Sequence, residues 1–224
     1  MTLFVLAIFL LSALVGCLNQ PEEADYSIEP AEAGWKWLIN NYHGYRIKYP
    51  EDWEDWPMNE GNESPDWLYI SEPFVVIQSS LGFPVPIGSG HFGVETITPE
   101  VMKECLRGKG VNRYDRQSFA KNEINHSRNW AYNENFELLE YKSISLDGVP
   151  STLIIYTFHR VIPSRETDPY EGKPTQMRLH IFSEEKGGKV YHINYTASRP
   201  LDRADRITEN LPTVMEMIKS FEFI

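Results

Sequence analysis

Two long strand-like runs, Phe136 to Leu146 and Val149 to Arg160, meet at the dipeptide Asp147-Gly148. This junction restricts the possible folds more than anything else in the chain. Asp-Gly favours a two-residue type I′ turn because both central residues of that turn take positive φ, so the runs are tied as an antiparallel hairpin. In the second run Thr152, Ile154, Tyr156 and Phe158 share one side, and Leu153 and Ile155 share the other. A strand that is apolar on both sides needs a cover on each side. In the first run the apolar parity changes between Leu139/Tyr141 and Ile144/Leu146, which predicts a bulge there.

A second hairpin follows. Met177, Leu179 and Ile181 alternate along one strand, Gly187-Gly188 lies in the loop, and Tyr191, Ile193 and Tyr195 line the returning strand. Upstream, Tyr45–Pro50 alternates apolar with basic residues, and Leu68–Ile70, Phe74–Ile77 and His91–Ile97 read as further short strands. Thr98-Pro99-Glu100 has the cap, proline and acid of a helix start, followed by Val101, Met102, Cys105 and Leu106, with Gly108 as the stop. Ile207, Leu211, Val214 and Ile218 make the stripe of a helix lying on a sheet; Pro212 either kinks it or follows a new cap at Asn210. Phe221–Ile224 reads as a short closing strand, and residues 112–135 as a polar loop that admits a helix. The fold class is therefore α+β, an α/β/α sandwich on a central, mostly antiparallel sheet.

The N-terminus argues for export. Leu3 to Val15 is an uncharged apolar run of about 13 residues, shorter than the roughly 20 a spanning helix needs and within the range of a secretory leader. Leu14-Val15-Gly16-Cys17 resembles the lipobox of bacterial and archaeal lipoproteins, in which the Cys is lipidated and becomes the mature N-terminus. Residues 1–16 are read as the signal peptide, Cys17 as the lipid attachment site, 17–34 as an acidic flexible tether and 35–224 as the folded domain. That places the protein on the cell membrane, lipid-anchored and facing outside the cytoplasm. With 21 Lys and Arg against 32 Asp and Glu, the formal charge is −11, which excludes a nucleic-acid partner.

No catalytic motif is present. There is no His-Glu-x-x-His pair for zinc, no phosphate loop, no dinucleotide fingerprint, and Gly88-Ser89-Gly90 lacks the spacing of a serine-hydrolase elbow. His159, His180 and His192 sit on hairpin strands and are weak candidates for a Zn or Cu site, with ordinary strand residues the favoured reading. Glu51, Asp52, Glu54 and Asp55 are read as a solvated acidic turn rather than a cation site, and Cys105 as a small buried hydrophobe. Of the aromatic residues crowding the start of the domain most are assigned to the core. Trp56 and Trp67, flanked by Pro57, Gly61 and Pro65, are weak candidates for a partner-binding surface.

The phrase Tyr45-Arg-Ile-Lys-Tyr-Pro-Glu-Asp-Trp53 resembles the opening of the PsbP family, named for the extrinsic protein of photosystem II. The Thr98-Pro-Glu helix start, Leu146-Asp-Gly-Val-Pro150, the strand Tyr191–Ala197 and Ser220-Phe-Glu-Phe223 follow in the same order, from Trp35 to Ile224. The resemblance implies an α/β/α sandwich and a binding or assembly role with no catalytic centre and no cofactor. The expected function is a monomeric, non-catalytic accessory domain for an envelope protein. The alternative is an enzyme or metal-binding protein with its site in loops 81–90 and 112–135, where the chain departs from the family.

Overall fold

The computed structural model describes residues 26–57, 67–72, 75–78, 84–97, 114–160, 175–199 and 201–224. A small sheet is built from β1 (Tyr26–Pro30), β2 (Trp35–Asn40), β3 (Tyr45–Pro50) and β12 (Glu222–Phe223), in that order. The large sheet runs β4 (Glu54–Pro57), β5 (Trp67–Ser71), β7 (Pro84–Ile97), β11 (Val190–Arg199), β10 (Thr175–Ser183), β9 (Val149–Arg160) and β8 (Asn133–Leu146). The eighth strand, β6 (Val75–Gln78), pairs with the outer part of β7, and all these pairings are antiparallel. The described helices are α1 (Arg116–Asn129) and α2 (Leu211–Lys219), with a 3-10 turn at Leu201–Arg206.

Both faces of β9 are covered, as its alternation requires. Ile154, Tyr156 and Phe158 join Phe182 beneath Ala120 and Ile124 of α1. On the other face Leu153, Ile155, Leu179, Ile181 and Ile193 pack into a larger core with Leu38 and Ile47 of the small sheet and Val214 and Met217 of α2. The fold is α+β and mostly antiparallel; its second cover is a helix and a four-stranded sheet together. At the β8–β9 turn, Asp147 and Gly148 have φ of 45° and 81°, the two positive values a type I′ turn demands.

Several boundaries differ from the sequence reading. Residues 26–30, assigned to the tether, form β1 and pair with Lys36–Asn40, so the described domain starts before Trp35. Backbone hydrogen bonds hold this edge strand while its side chains stay largely exposed, and composition carries no sign of that. The register breaks of β8 fall between Glu134 and Glu137 and between Leu138 and Glu140, upstream of the predicted parity change. Much of loop 81–90 is strand, since Pro84–Gly90 opens β7 and Val85 and Pro86 lie opposite Ile77 and Val76. Segment 112–135 is dominated by α1, whose N-cap Asp115 accepts a hydrogen bond from the Ser118 amide at 2.9 Å. α2 starts at Leu211 with Pro212 in its first turn, so Pro212 marks a new helix and not a kink. The leader, Cys17, the helix expected after Thr98 and Cys105 lie outside the described residues.

Candidate functional site

The side chains that face α1 from the large sheet include a continuous polar chain crossing four neighbouring strands. Glu95 on β7 lies opposite His192 on β11, and the carboxylate accepts from His192 Nδ1 at 2.9 Å. His192 Nε2 is 3.0 Å from His180 Nδ1 on β10, and His180 Nε2 is 3.2 Å from the Tyr156 hydroxyl on β9. Tyr156 donates to Glu123 Oε1 of α1 at 2.8 Å, and Ser127 Oγ donates to the same oxygen at 3.1 Å. The rings are stacked as well as bonded: His180 and His192 lie 5.2 Å apart at 10°, with Phe182 4.7 Å from His192. One end of the chain therefore sits on the sheet and the other on the helix that covers it.

Burial sets the protonation of its middle. Desolvation, followed by the nearby His192, pulls the His180 imidazole down to about 3, so this ring is neutral at any ordinary pH. Burial works against the Glu123 carboxylate, but the charge His180 takes on in strong acid, the hydroxyls of Tyr156 and Ser127, and Arg178 outweigh it and hold the carboxyl below its usual range. Burial, then the Glu123 charge, drives the Tyr156 phenol well above its ordinary value, so it stays a donor.

A second buried polar group stands where β5 meets β7 and β11. Glu72 and Arg199 are each 4% exposed and paired at 3.0 Å; Arg199 also reaches Glu209 at 3.2 Å, and the Tyr195 hydroxyl donates to Glu72. Gly90 is the floor beneath the carboxylate, where a Cβ would come within 1.7 Å of Glu72 Oε1. At the free edge of the large sheet the surface is apolar. Trp130, Tyr132, Leu138, Leu139 and Tyr141 are each 38% to 48% exposed, between the end of α1 and β8.

No family model matches the sequence, and no curated protein matches it. Among solved structures, the Ran-binding protein Mog1p of Saccharomyces cerevisiae aligns at a TM-score of 0.51 and 8% identity, over 90% of this chain and 96% of its own. Cyanobacterial PsbP from Synechocystis aligns at 0.48 and 14% identity, over 87% and 95% of the two chains. LpqN of Mycobacterium tuberculosis, described as involved in cell envelope biogenesis, aligns at 0.45 and 10%, over 79% and 81%. The fold is shared with Mog1p. At these identities the likeness reaches the fold and stops there.

Within this frame the predicted residues separate. His180 and His192 come together, whereas His159 has the parity of Leu153 and Ile155, faces the other side of the sheet, and bonds Thr175 Oγ1 at 3.0 Å. Among the described residues no group of three or more His, Cys, Asp or Glu is placed to hold a metal ion. Trp56 and Trp67 fall on β4 and β5, opposite Tyr69 and Glu95, and their side chains lie outside the described set. Tyr45 and Trp53 are core residues, Trp35 and Trp37 are half-buried, and Tyr42 is exposed. The acidic turn is solvated at Glu51, Asp52 and Glu54, while Asp55 accepts from the Tyr49 hydroxyl at 3.3 Å. Sequence reasoning missed Glu95, Glu123, Tyr156, Glu72 and Arg199 as members of buried networks. Parity places Tyr156, His180 and His192 on strand faces, but only the register puts them in one row.

Proposed function

We propose that the chain is a non-catalytic accessory domain, tethered to the outer side of the cell membrane through a lipid on Cys17, that holds a protein partner of the envelope. The observation that carries the reading is the exposed apolar edge formed by Trp130, Tyr132, Leu138, Leu139 and Tyr141. Exposed large side chains along a sheet edge are an aggregation liability unless they have a use. The two register breaks in β8 interrupt its outer backbone edge, so a partner docks on the side chains rather than by extending the sheet along the full strand. Glu134 and Glu137 lie on the same strand and the formal charge is −11, so the matching segment is apolar with Lys or Arg at its margins. The membrane tether rests on Leu14-Val15-Gly16-Cys17. The protein-binding role agrees with Mog1p, the structure of this fold that is described as Ran-binding.

A photo-crosslinking residue at position 139, in protein expressed in its own membranes, tests this. One discrete adduct with an envelope protein is expected, absent when the probe is at the exposed position 51 and lost on adding Trp130→Lys and Leu138→Lys to a chain that still folds. No adduct, or an adduct indifferent to those substitutions, overturns the docking face. An adduct of twice the chain's mass replaces the partner with a second copy.

A further inference from the structure

The polar chain under α1 has a proton inventory that can be counted. Four hydrogen bonds link Glu95, His192, His180, Tyr156 and Glu123 in series. Both ends are carboxylates, which only accept. Between them, His192, His180 and Tyr156 bring one proton each when neutral, so four bonds have three protons to share. The Ser127 hydroxyl bonds Glu123 and Tyr156, so if Tyr156 turns its proton to His180, Ser127 serves one of those two oxygens but places no proton between them. With both histidines neutral, one link of the row sets two lone pairs against each other with no proton between them, a repulsion that the low dielectric under the helix strengthens. A fourth proton removes the conflict. If His192 carries both N–H groups, Nδ1 donates to Glu95 and Nε2 to His180 Nδ1. Neutral His180 then donates from Nε2 to Tyr156, and Tyr156 donates to Glu123.

We propose that this row is a proton lock: α1 docks fully on the sheet only while the chain from Glu95 to Glu123 holds that fourth proton on His192. The charged groups facing the row fit this placement. Glu95 on β7 and Glu123 on α1 bracket it with negative charge, and Arg178 on β10 faces the His180 and Glu123 end. Arg116 of α1 is occupied with Glu184 at 3.1 Å. The extra positive charge therefore falls at the end remote from Arg178, against Glu95. The lock reaches beyond the helix, because Asn133 at the start of β8 donates to the Ser127 carbonyl at 2.7 Å and Phe136 stacks on Tyr156. Release of the proton loosens α1 and the first residues of β8 together.

The experiment follows amide exchange of Ala120 and Ile124 in the full chain from pH 6 to 9, corrected for intrinsic exchange, alongside imidazole ¹⁵N spectra. Expected in the unsubstituted protein are a doubly protonated His192 and a singly protonated His180 at pH 6. Above the release of one proton, α1 opening should rise tenfold per pH unit. Glu95→Gln should flatten that dependence, because the carboxamide supplies the fourth N–H with both rings neutral. Glu123→Gln donates from the other end and should do the same, and serves if the first variant does not fold. A flat profile in the unsubstituted protein, an unchanged slope in the folded Gln variant, or a singly protonated His192 at pH 6 overturns the lock.

Discussion

Replacing His180 with Gln should make the domain more resistant to acid. His180 is 8% exposed, and burial together with the neighbouring His192 lowers its imidazole from 6.5 to about 3. An unfolded chain protonates this ring as pH falls through about 6.5, while the folded chain refuses the proton until about 3. Between those values the unfolded state binds one more proton, so stability is intact above the window and falls as acid is added. At pH 4.5, two units into the window, the loss is about 2.7 kcal/mol, since each unit is worth about 1.36 kcal/mol. Gln never protonates in this range and still offers an acceptor to His192 and a donor to Tyr156. Urea unfolding of both proteins at pH 7, 5.5 and 4.5 is the assay. Whatever the difference at pH 7, it should move about 2.7 kcal/mol in favour of His180→Gln by pH 4.5. Parallel pH profiles would mean that the ring is protonated within the fold, and the reasoning fails.

Arg199→Met should cost about 3–5 kcal/mol in chemical denaturation, because it strands the Glu72 carboxylate in a closed site, and Glu72→Leu in the same chain should recover most of that loss. Gly90→Ala should approach the same cost by pushing that carboxylate off Arg199 and Tyr195, measured as a fall in thermal midpoint. Asp147→Ala should lose about 1–2 kcal/mol, the turn preference plus the hydrogen bond its Oδ2 accepts from the Phe223 amide at 2.9 Å; Asp147→Asn should keep the turn. Cys17→Ser should move the protein from the membrane to the soluble fraction or leave the leader uncut. Membrane retention at unchanged mature mass would count against lipidation.

Strands whose faces differ in polarity were the readable part of the fold. Tyr45–Pro50 stands where alternation places it, because one wrong register step would turn its apolar side chains outward, whereas the hairpin of β8 and β9, apolar on both sides of β9, is fixed by the Asp147-Gly148 turn. α1 was harder to read because its inward stripe mixes Ala120 and Ile124 with Glu123 and Ser127, whose partners Tyr156 and His180 come from strands downstream of it. A helix that buries a carboxylate shows no apolar period. β1 escaped for the opposite reason, being held by its backbone with little apolar burial. The histidines show the limit of parity. Their positions along the strands assign each to a side, but the distance from Glu95 to His192 spans 97 residues of sequence and exists only once β7 and β11 are neighbours.

The closing pair β12 has consequences for how the domain is made. Glu222 and Phe223 lie against Arg46 and Tyr45, and the Phe223 amide reaches across to the Asp147 turn, so both sheets await a segment made well over a hundred residues after β3. As the chain is made from its N-terminus, β3 lacks its outer neighbour and Tyr45 lacks Phe221, which stacks on it at 5.4 Å, until that segment follows. Until that segment arrives, the nascent domain presents an open flank, and this interval is when a chaperone would have the most to shield.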